Sequence, residues 1–316
     1  MGVRHRTRSV GLEGIAVHTL RMFVLSLVLV EACRAGEALG QAPAPEADRQ
    51  LAARRFEYFK TQARDFCANM ASGQPVELAG GSILNWTLAS SWHGGFYIWT
   101  SRGRPVLVGC FLADSQTSDV RRSMAEFHVM TDERIEPIVF DGLRKYRWTP
   151  DPKDAFVLPT QTPVTGDART RLRDMRTLAR ELAVTMYSDD EKSREELRLL
   201  TQPLYRYPEG TGGADGAIFG YVTTRGTDPE FLLAVETPRD GAKGEWRLRP
   251  MRSCTRRLDL RRGSETLWSA DAYDLSRDRI ERGEPYVIVP LAETDTPTFE
   301  RMVDLAIKSP ATKAAP

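Results

Sequence analysis

Two stretches of the chain are typical of β-hairpins and share the same turn. Residues 94–109 read GGFYIWTSRGRPVLVG, and residues 216–235 read GAIFGYVTTRGTDPEFLLAV. In both, two apolar runs meet at a T-x-R-G turn, where glycine adopts a positive φ at little cost. Thr100 and Gly103 align with Thr223 and Gly226. One interpretation is a duplication that produced two β-rich halves, and the other is that any two hairpins with a glycine turn look alike.

The rest of the pattern predicts an α+β protein with two antiparallel β-rich halves, a helical segment between them and an amphipathic N-terminal helix. Apolar residues at helical spacing predict helices over 46–70 and 167–187, the second with Asp167 as its N-cap, and the charged stretch 189–200 predicts a third helix. A short helix is expected from 297 to 307. The segments are a signal peptide (1–42), the N-terminal helix (43–75), a first β-rich half (76–163), central helices (164–201), a second β-rich half (202–290) and a C-terminal helix and tail (291–316).

The first 42 residues have the composition of a signal peptide. A basic leader precedes the apolar run MFVLSLVLV (22–30), which is too short to span a bilayer, and LGQA ending at Ala42 suits a cleavage site. Initiation at Met22 and lipidation at Cys33 are alternatives. We expect export to the periplasm, the cell surface or the medium, with membrane contact only through the leader.

The charge balance and the cysteines indicate which partners and which disulfides to expect. The chain has 44 basic and 43 acidic residues, so it has no general attraction for nucleic acid or anionic membranes. Cys67, Cys110 and Cys254 follow the leader at wide spacing. Three thiols are favoured over one disulfide with a spare thiol, because Cys110 lies in an apolar strand and Cys67 on an apolar helix face.

Histidine is scarce, which limits acid–base and metal chemistry. Only His93 and His128 follow the leader. Glu126 and His128 are two residues apart, so a strand places both on one face. With His93 they would form the catalytic group of a hydrolase, with or without a metal. The alternative is a histidine bonded within the sheet and a solvated glutamate.

Arginine is concentrated in WRLRPMRSCTRRLDLRR, residues 246–262. Its alternation with apolar residues indicates amphipathic strands with a basic outer face. Arg247, Arg249, Arg256 and Arg257 are the candidates for binding an anionic ligand or an acidic protein partner. The alternative is a solvated sheet face paired with the acidic residues downstream.

No common catalytic or cofactor motif occurs in the sequence, and we expect no cofactor. GGFYIWTSRGRP, EFHVM, RLRDMRTLARELA, LRLLTQPLYRY, DGAIFGYVTTRGTDPEFLLAVE and LWSADAYD resemble, in this order, segments of a large group of exported, uncharacterised bacterial proteins. The resemblance covers about residues 50–275 and implies export and a shared architecture, but no activity. We therefore predict a non-enzymatic binding protein of the cell envelope, with a hydrolase and a structural envelope component as alternatives.

Overall fold

Antiparallel strands and three helices make up the part of the chain that the structure, a computed structural model, describes. The described residues are 46–88, 92–114, 120–143, 145–151, 157–208, 215–224, 226–238, 244–274 and 283–309. The predicted signal peptide and Arg225 lie outside these ranges. The helices are α1 (Glu46–Asp65), α2 (Ala168–Arg180) and α3 (Thr296–Lys308). No helix of the described residues is long and apolar enough to cross a membrane.

Eighteen strands alternate with these helices in the described ranges. They are β1 (Ala68–Asn69), β2 (Pro75–Leu78), β3 (Leu84–Leu88), β4 (Trp92–Ser101), β5 (Arg104–Asp114), β6 (Val120–Val129), β7 (Ile138–Asp141), β8 (Lys145–Trp148), β9 (Leu158–Pro163), β10 (Leu182–Tyr187), β11 (Arg194–Leu199), β12 (Tyr205–Arg206), β13 (Gly216–Val222), β14 (Pro229–Glu236), β15 (Glu245–Arg252), β16 (Leu258–Arg262), β17 (Glu265–Ala270) and β18 (Tyr286–Asp295). The chain is therefore an α+β protein with antiparallel sheets, as the hairpin pattern predicts.

The first sheet has the strand order β1-β2-β4-β5-β6-β18, with β3 also paired to β4. Successive side chains of a strand point to opposite faces, so each central strand contributes to two layers. Trp99 and Phe127 lie on the face that packs against α1 and α3. Phe96 and Val108 lie on the other face, which packs against the second sheet.

The second sheet has the order β17-β16-β10-β11-β13-β14-β15-β9, with β12 also paired to β13. Phe219 and Phe231 lie on the face covered by α2. Ile218, Leu232 and Met251 lie on the other face and join the core between the sheets. The layers therefore follow the order helices, sheet, sheet, helix, and the inner face of each sheet is covered by the other.

The predicted helix over 189–200 is wrong, and the predicted helix over 167–187 ends at Arg180, so that its last part, Leu182–Tyr187, forms strand β10 instead. The chain leaves α2 after Arg180 and forms the hairpin β10–β11, which pairs with β16 on one side and with β13 on the other. The charged residues of 189–200 resembled an exposed helix, but exposure alternates along β11, where Arg194, Glu196 and Arg198 face solvent and Leu197 is buried. Pairing on both sides supplies the backbone hydrogen bonds and overrides local helix preference.

The two predicted halves do not correspond to the two sheets. Strand β9 lies within the predicted first half (76–163) but pairs with β15 of the second sheet. Strand β18 begins in the predicted second half but pairs with β6 of the first sheet. The predicted boundaries at 163 and 290 therefore fall within or beside strands that join the other half.

The end of α1, the bounds of α3 and the cap of α2 can be compared with the predicted helices. Helix α1 ends at Asp65, so Cys67 lies beyond it and is exposed, contrary to the prediction of a buried helix position. Helix α3 begins at Thr296 and ends at Lys308, so the predicted C-terminal helix is confirmed. Asp167 caps α2 as predicted, since its side chain accepts the Thr170 N–H at 2.8 Å.

Candidate functional site

The predicted group of His93, Glu126 and His128 does not form. Glu126 and His128 share the inner face of the first sheet, as their spacing predicts. His93 lies on the opposite face, where its ring is 6.1 Å from the ring of Phe56 in α1. A strand places neighbouring residues on opposite faces, and the register of His93 with Ala113 puts it on the helix side.

His93 is buried in a separate environment beneath α1. Burial lowers the pKa of its imidazole to about 4, and the nearby positive charge of Arg55 lowers it further. Its Nδ1 atom has no hydrogen-bond partner among the described residues. His93 is therefore a neutral ring at neutral pH and acts apart from Glu126.

A small polar pocket lies between the two sheets at Glu126 and His128, and we call it the inter-sheet pocket. Its volume is only about 10 Å³, which is close to the space that one water molecule needs. Its polar wall consists of Glu126, His128, Arg252, Ser253 and Tyr286, and its apolar wall includes Phe96, Val108 and Leu232. Strands of both sheets thus supply its walls.

Glu126 occupies the centre of the first sheet's inner face. On β6 it lies opposite Cys110 of β5 and Ile288 of β18. The pKa of its carboxyl group is raised to about 8, mainly by burial and in part by the negative charge of Glu230 on β14, while Arg252 and a hydrogen bond from Tyr286 oppose the rise. The carboxyl group is therefore mostly protonated at neutral pH and can donate a hydrogen bond.

His128 lies on the same face and is uncharged. Burial lowers the pKa of its imidazole to about 3, and Arg249 and Arg252 lower it further. Its Nδ1 lies 2.9 Å from the carbonyl oxygen of Val129. A neutral ring that donates its Nδ1–H to a carbonyl keeps a lone pair on Nε2. His128 can therefore accept a proton or a hydrogen bond but adds no charge to the pocket.

Arg252 supplies the fixed positive charge of the inter-sheet pocket, and the sequence analysis did not single it out. Its guanidinium donates to the carbonyl oxygens of Cys254 at 3.0 Å, Asp271 at 2.9 Å and Arg256 at 2.7 Å. Its Cζ atom also lies 5.4 Å from the ring centre of Tyr286. These contacts hold the cation in one place beside Glu126.

Tyr286 closes the pocket from β18 and is 2 % exposed. Its hydroxyl group faces the Glu126 carboxyl group and lowers the pKa of that group, but it makes no well-formed hydrogen bond within the described part of the chain. Burial raises the pKa of this hydroxyl, as does the charge of Glu126, so Tyr286 is a neutral donor and acceptor. An unpaired buried hydroxyl costs about 1–3 kcal/mol, which a bound group in the pocket would recover.

The thiols of Cys110 and Cys254 lie near the inter-sheet pocket. All three cysteines that follow the leader are free thiols, as predicted. Burial raises the pKa of both Cys110 and Cys254, and the carboxyl groups of Glu126 and Glu230 raise it further. Since the thiolate is the reactive form, neither cysteine is activated as a nucleophile.

The predicted arginine candidates do not share one open face. Arg247 is exposed, whereas Arg249 is 2 % exposed and points between the sheets. Arg256 lies 3.6 Å from Asp189, and Arg257 lies 3.0 Å from Glu191. The alternation of WRLR correctly indicated a strand, but the side taken for solvent is covered by the first sheet.

Arg249 instead belongs to a buried ion-pair cluster that joins the sheets. Its Nη2 lies 3.2 Å from Glu236 Oε1, and Arg104 of the first sheet lies 3.2 Å from Glu236 Oε2. The hydroxyl of Tyr207 donates to the same carboxylate at 3.0 Å. Glu236 is thus paired with two arginines, and this cluster fixes how the sheets meet.

Comparisons with protein families, curated proteins and solved structures found no match. Within the described ranges, no three His, Cys, Asp or Glu side chains lie close enough to hold a metal ion. The chemistry of the inter-sheet pocket therefore has to be judged from its own residues. They offer a fixed cation, a protonated carboxyl group, a neutral imidazole and an unpaired hydroxyl.

Proposed function

We propose that this chain is an exported, non-enzymatic protein of the cell envelope that binds a ligand or partner, with the inter-sheet pocket taking one small polar group of it. The leader sequence supports export, and the near-neutral charge argues against nucleic acid as the partner. The pocket has polar groups converging on one point with apolar walls around them, which is the usual composition of a small-molecule site.

The Tyr286 hydroxyl is the observation that carries this proposal. Buried polar groups in folded proteins are nearly always hydrogen-bonded, and an exception calls for an explanation. This hydroxyl lines a pocket beside a fixed guanidinium, and it faces the Glu126 carboxyl group without a well-formed hydrogen bond to it. A small polar group of a ligand would complete the hydrogen bonding of this hydroxyl.

The hydrolase alternative has less support. It relied on His93 together with Glu126 and His128, and His93 lies on the other face of the sheet. The nearby thiols are held in their protonated form, so the pocket has no activated nucleophile among its described residues. No particular contact among the described residues supports a structural role in the envelope.

Binding of an anionic partner through arginine remains a proposal for Arg247, which is the exposed member of the predicted set.

The amphipathic N-terminal helix and the duplication of the two halves are also proposals. Helix α1 buries Tyr58 and Phe59 against the first sheet, which supports an amphipathic role. Phe96 and Phe219 occupy equivalent positions, four residues before the shared threonine of each hairpin. Phe96 faces the other sheet while Phe219 faces α2, which argues against duplication.

A ligand screen with matched tyrosine variants tests the proposed function. The purified protein is titrated with small carboxylates, amides, alcohols and amines, and binding is followed by NMR. Tyr286→Phe removes the pocket hydroxyl, whereas Tyr97→Phe removes a hydroxyl from the same sheet's opposite face. We expect at least one compound to bind, roughly tenfold more weakly to Tyr286→Phe and unchanged to Tyr97→Phe. Absence of binding, or equal binding by the two variants, would refute the proposal.

A further inference from the structure

We propose that helix α2 is the docking surface for an acidic polypeptide segment of a protein partner, whose carboxylates pair with a row of arginines on the outer side of the helix. The arginine row consists of Arg169, Arg173, Arg176 and Arg180. Helix α2 covers the face of the second sheet that points away from the inter-sheet pocket. The surface is therefore separate from the pocket of the proposed function.

The arginine row is straight because its members recur at helical spacing. The second, third and fourth arginines follow Arg169 by four, seven and eleven residues. With 3.6 residues per turn and a rise of 1.5 Å, these positions fall within about 60° of the helix circumference and span about 16 Å of its axis. The buried side of α2 contains Met175, Leu178 and Ala179, so the arginines lie on the side of the helix that faces away from the core.

The guanidinium groups of the row are accessible to a partner. Arg169, Arg173 and Arg180 are exposed, and Arg176 is partly exposed. The side chain of Arg173 keeps 75 % of its surface in solvent. A partner can therefore reach the row without any change in the fold.

The described part of the chain supplies almost no counter-charge to the row. Arg169 and Arg180 form no ion pair with any described residue. Arg176 donates through Nη2 to the neutral amide oxygen of Gln202 at 2.5 Å. The Nε of Arg173 lies 3.8 Å from the carboxylate of the next residue, Asp174, an exposed contact of the kind that contributes little. The row therefore carries positive charge that the fold does not balance.

The arginines of 246–262, where the sequence predicted an acidic partner, differ in this respect. Arg249 is paired with Glu236, Arg256 with Asp189 and Arg257 with Glu191. A partner that binds a paired arginine has to displace a carboxylate of this chain, so the exchange gains little. On the arginine row a partner's carboxylate adds a new pair, which favours α2 over 246–262 as the surface for an acidic partner.

Asp174 and Glu181 lie beside the arginine row and restrict the width of the partner. They are seven residues apart, or two turns, and lie about a third of a turn from the arginines. A helix with its side chains is about 10–12 Å across, so the two charged sides are about 10 Å apart, close to the Debye length in 0.1 M salt. A broad anionic surface such as a membrane would meet these carboxylates together with the arginines. A single polypeptide segment is narrow enough to contact the arginines alone.

A helical acidic segment matches both the chemistry and the spacing of the row. The guanidinium group of arginine pairs with a carboxylate through two parallel hydrogen bonds. Side chains at i, i+4, i+7 and i+11 of a partner helix lie on one side of it, at the same intervals as the arginines. Because each exposed pair contributes little by itself, affinity depends on several pairs that form together. A segment with a row of Asp or Glu residues provides them, whereas a single carboxylate does not.

The test measures the fluorescence anisotropy of a labelled synthetic helical peptide with four glutamates at this spacing, titrated with the full chain at low ionic strength. Arg169→Gln, Arg173→Gln and Arg180→Gln are combined in one variant, since glutamine keeps helix propensity and removes the charge. We expect this α2 variant to bind the peptide about tenfold more weakly than the wild type.

A matched control separates the row from the net charge of the protein. It combines Arg49→Gln, Lys60→Gln and Arg64→Gln at exposed positions of α1, so that it loses the same charge as the α2 variant. We expect this α1 variant to bind the peptide within about twofold of the wild type. A second peptide of the same composition, with its glutamates spread around the helix, should bind the wild type at least about threefold more weakly.

Every other result would overturn the inference. Equal losses in the α1 and α2 variants, or equal binding of the two peptides, would show that net charge alone attracts the peptide. Wild-type protein that sediments with phosphatidylglycerol vesicles but does not bind the peptide would assign the row to a membrane. If neither probe binds, the row is a solvated surface. Tyr286→Phe should bind the peptide as the wild type does, so failure of the pocket and failure of this surface are distinguished. Should the α2 variant not fold, the two peptides and the wild type decide.

Discussion

Replacing Glu126 by glutamine should stabilise the protein by an amount that grows with pH. A carboxyl group whose pKa rises from 4.5 to about 8 on folding keeps its proton in the native state while the unfolded chain releases it. The unfolding free energy therefore falls as the pH rises from 4.5 to 8. The loss of stability is about 3 kcal/mol at pH 7 and about 5 kcal/mol well above pH 8. Glutamine has a similar size and no titration.

The direction of the effect follows from proton linkage. Between pH 4.5 and pH 8 the native state binds more protons at Glu126 than the unfolded state does, so this residue makes stability fall as pH rises. Below pH 4 both states are protonated, and the carboxyl group and the amide should be nearly equivalent. The difference in unfolding free energy between Glu126→Gln and wild type should therefore start near zero and increase.

Urea denaturation from pH 4 to pH 8.5, followed by tryptophan fluorescence, measures this difference. The other titrating groups are common to both proteins, so their contributions largely cancel. Glu265→Gln, at an exposed position of β17, is the control and should change stability by less than about 0.5 kcal/mol at every pH. A constant difference for Glu126→Gln, or a destabilisation at pH 7, would refute the account of Glu126 as a partly buried carboxyl group with a raised pKa.

Three other substitutions test contacts elsewhere in the fold. Gly94→Ala should cost at least about 1–3 kcal/mol, because its Cβ would lie 2.2 Å from the indole ring of Trp86; thermal denaturation measures the loss, and an unchanged melting temperature would contradict that packing. Glu236→Ala should cost about 3–5 kcal/mol in urea denaturation, since Arg249 would be left buried without its carboxylate, and a loss below 1 kcal/mol would argue against the buried ion pair. Asp167→Ala should cost about 1 kcal/mol through loss of the α2 cap, with no change in ligand binding.

Local patterns in the sequence predicted most individual elements correctly. The alternation around Phe96 and the glycine turn at Gly103 identify the hairpin β4–β5, and Asp167 identifies the start of α2. These signals depend on neighbouring residues and on periodicity, which the sequence contains directly. The charged stretch 189–200 failed because its strand state depends on pairing with β13 and β16, which are distant in the chain.

The site was predictable only in part for the same reason. The two-residue spacing placed Glu126 and His128 on one face, and the pocket lies there. Residue spacing could not show that His93 faces the helices, because a shift of one residue along β4 would reverse its face. Arg252 was hidden within a run of arginines, and Tyr286 follows it by more than thirty positions. Only the packing of the two sheets brings them together.

The most direct test of the central claim is a ¹³C NMR titration of the Glu126 carboxyl carbon. The account predicts a midpoint near pH 8 in the wild type. A midpoint near 4.5 would contradict both the raised pKa of this carboxyl group and the site built around it.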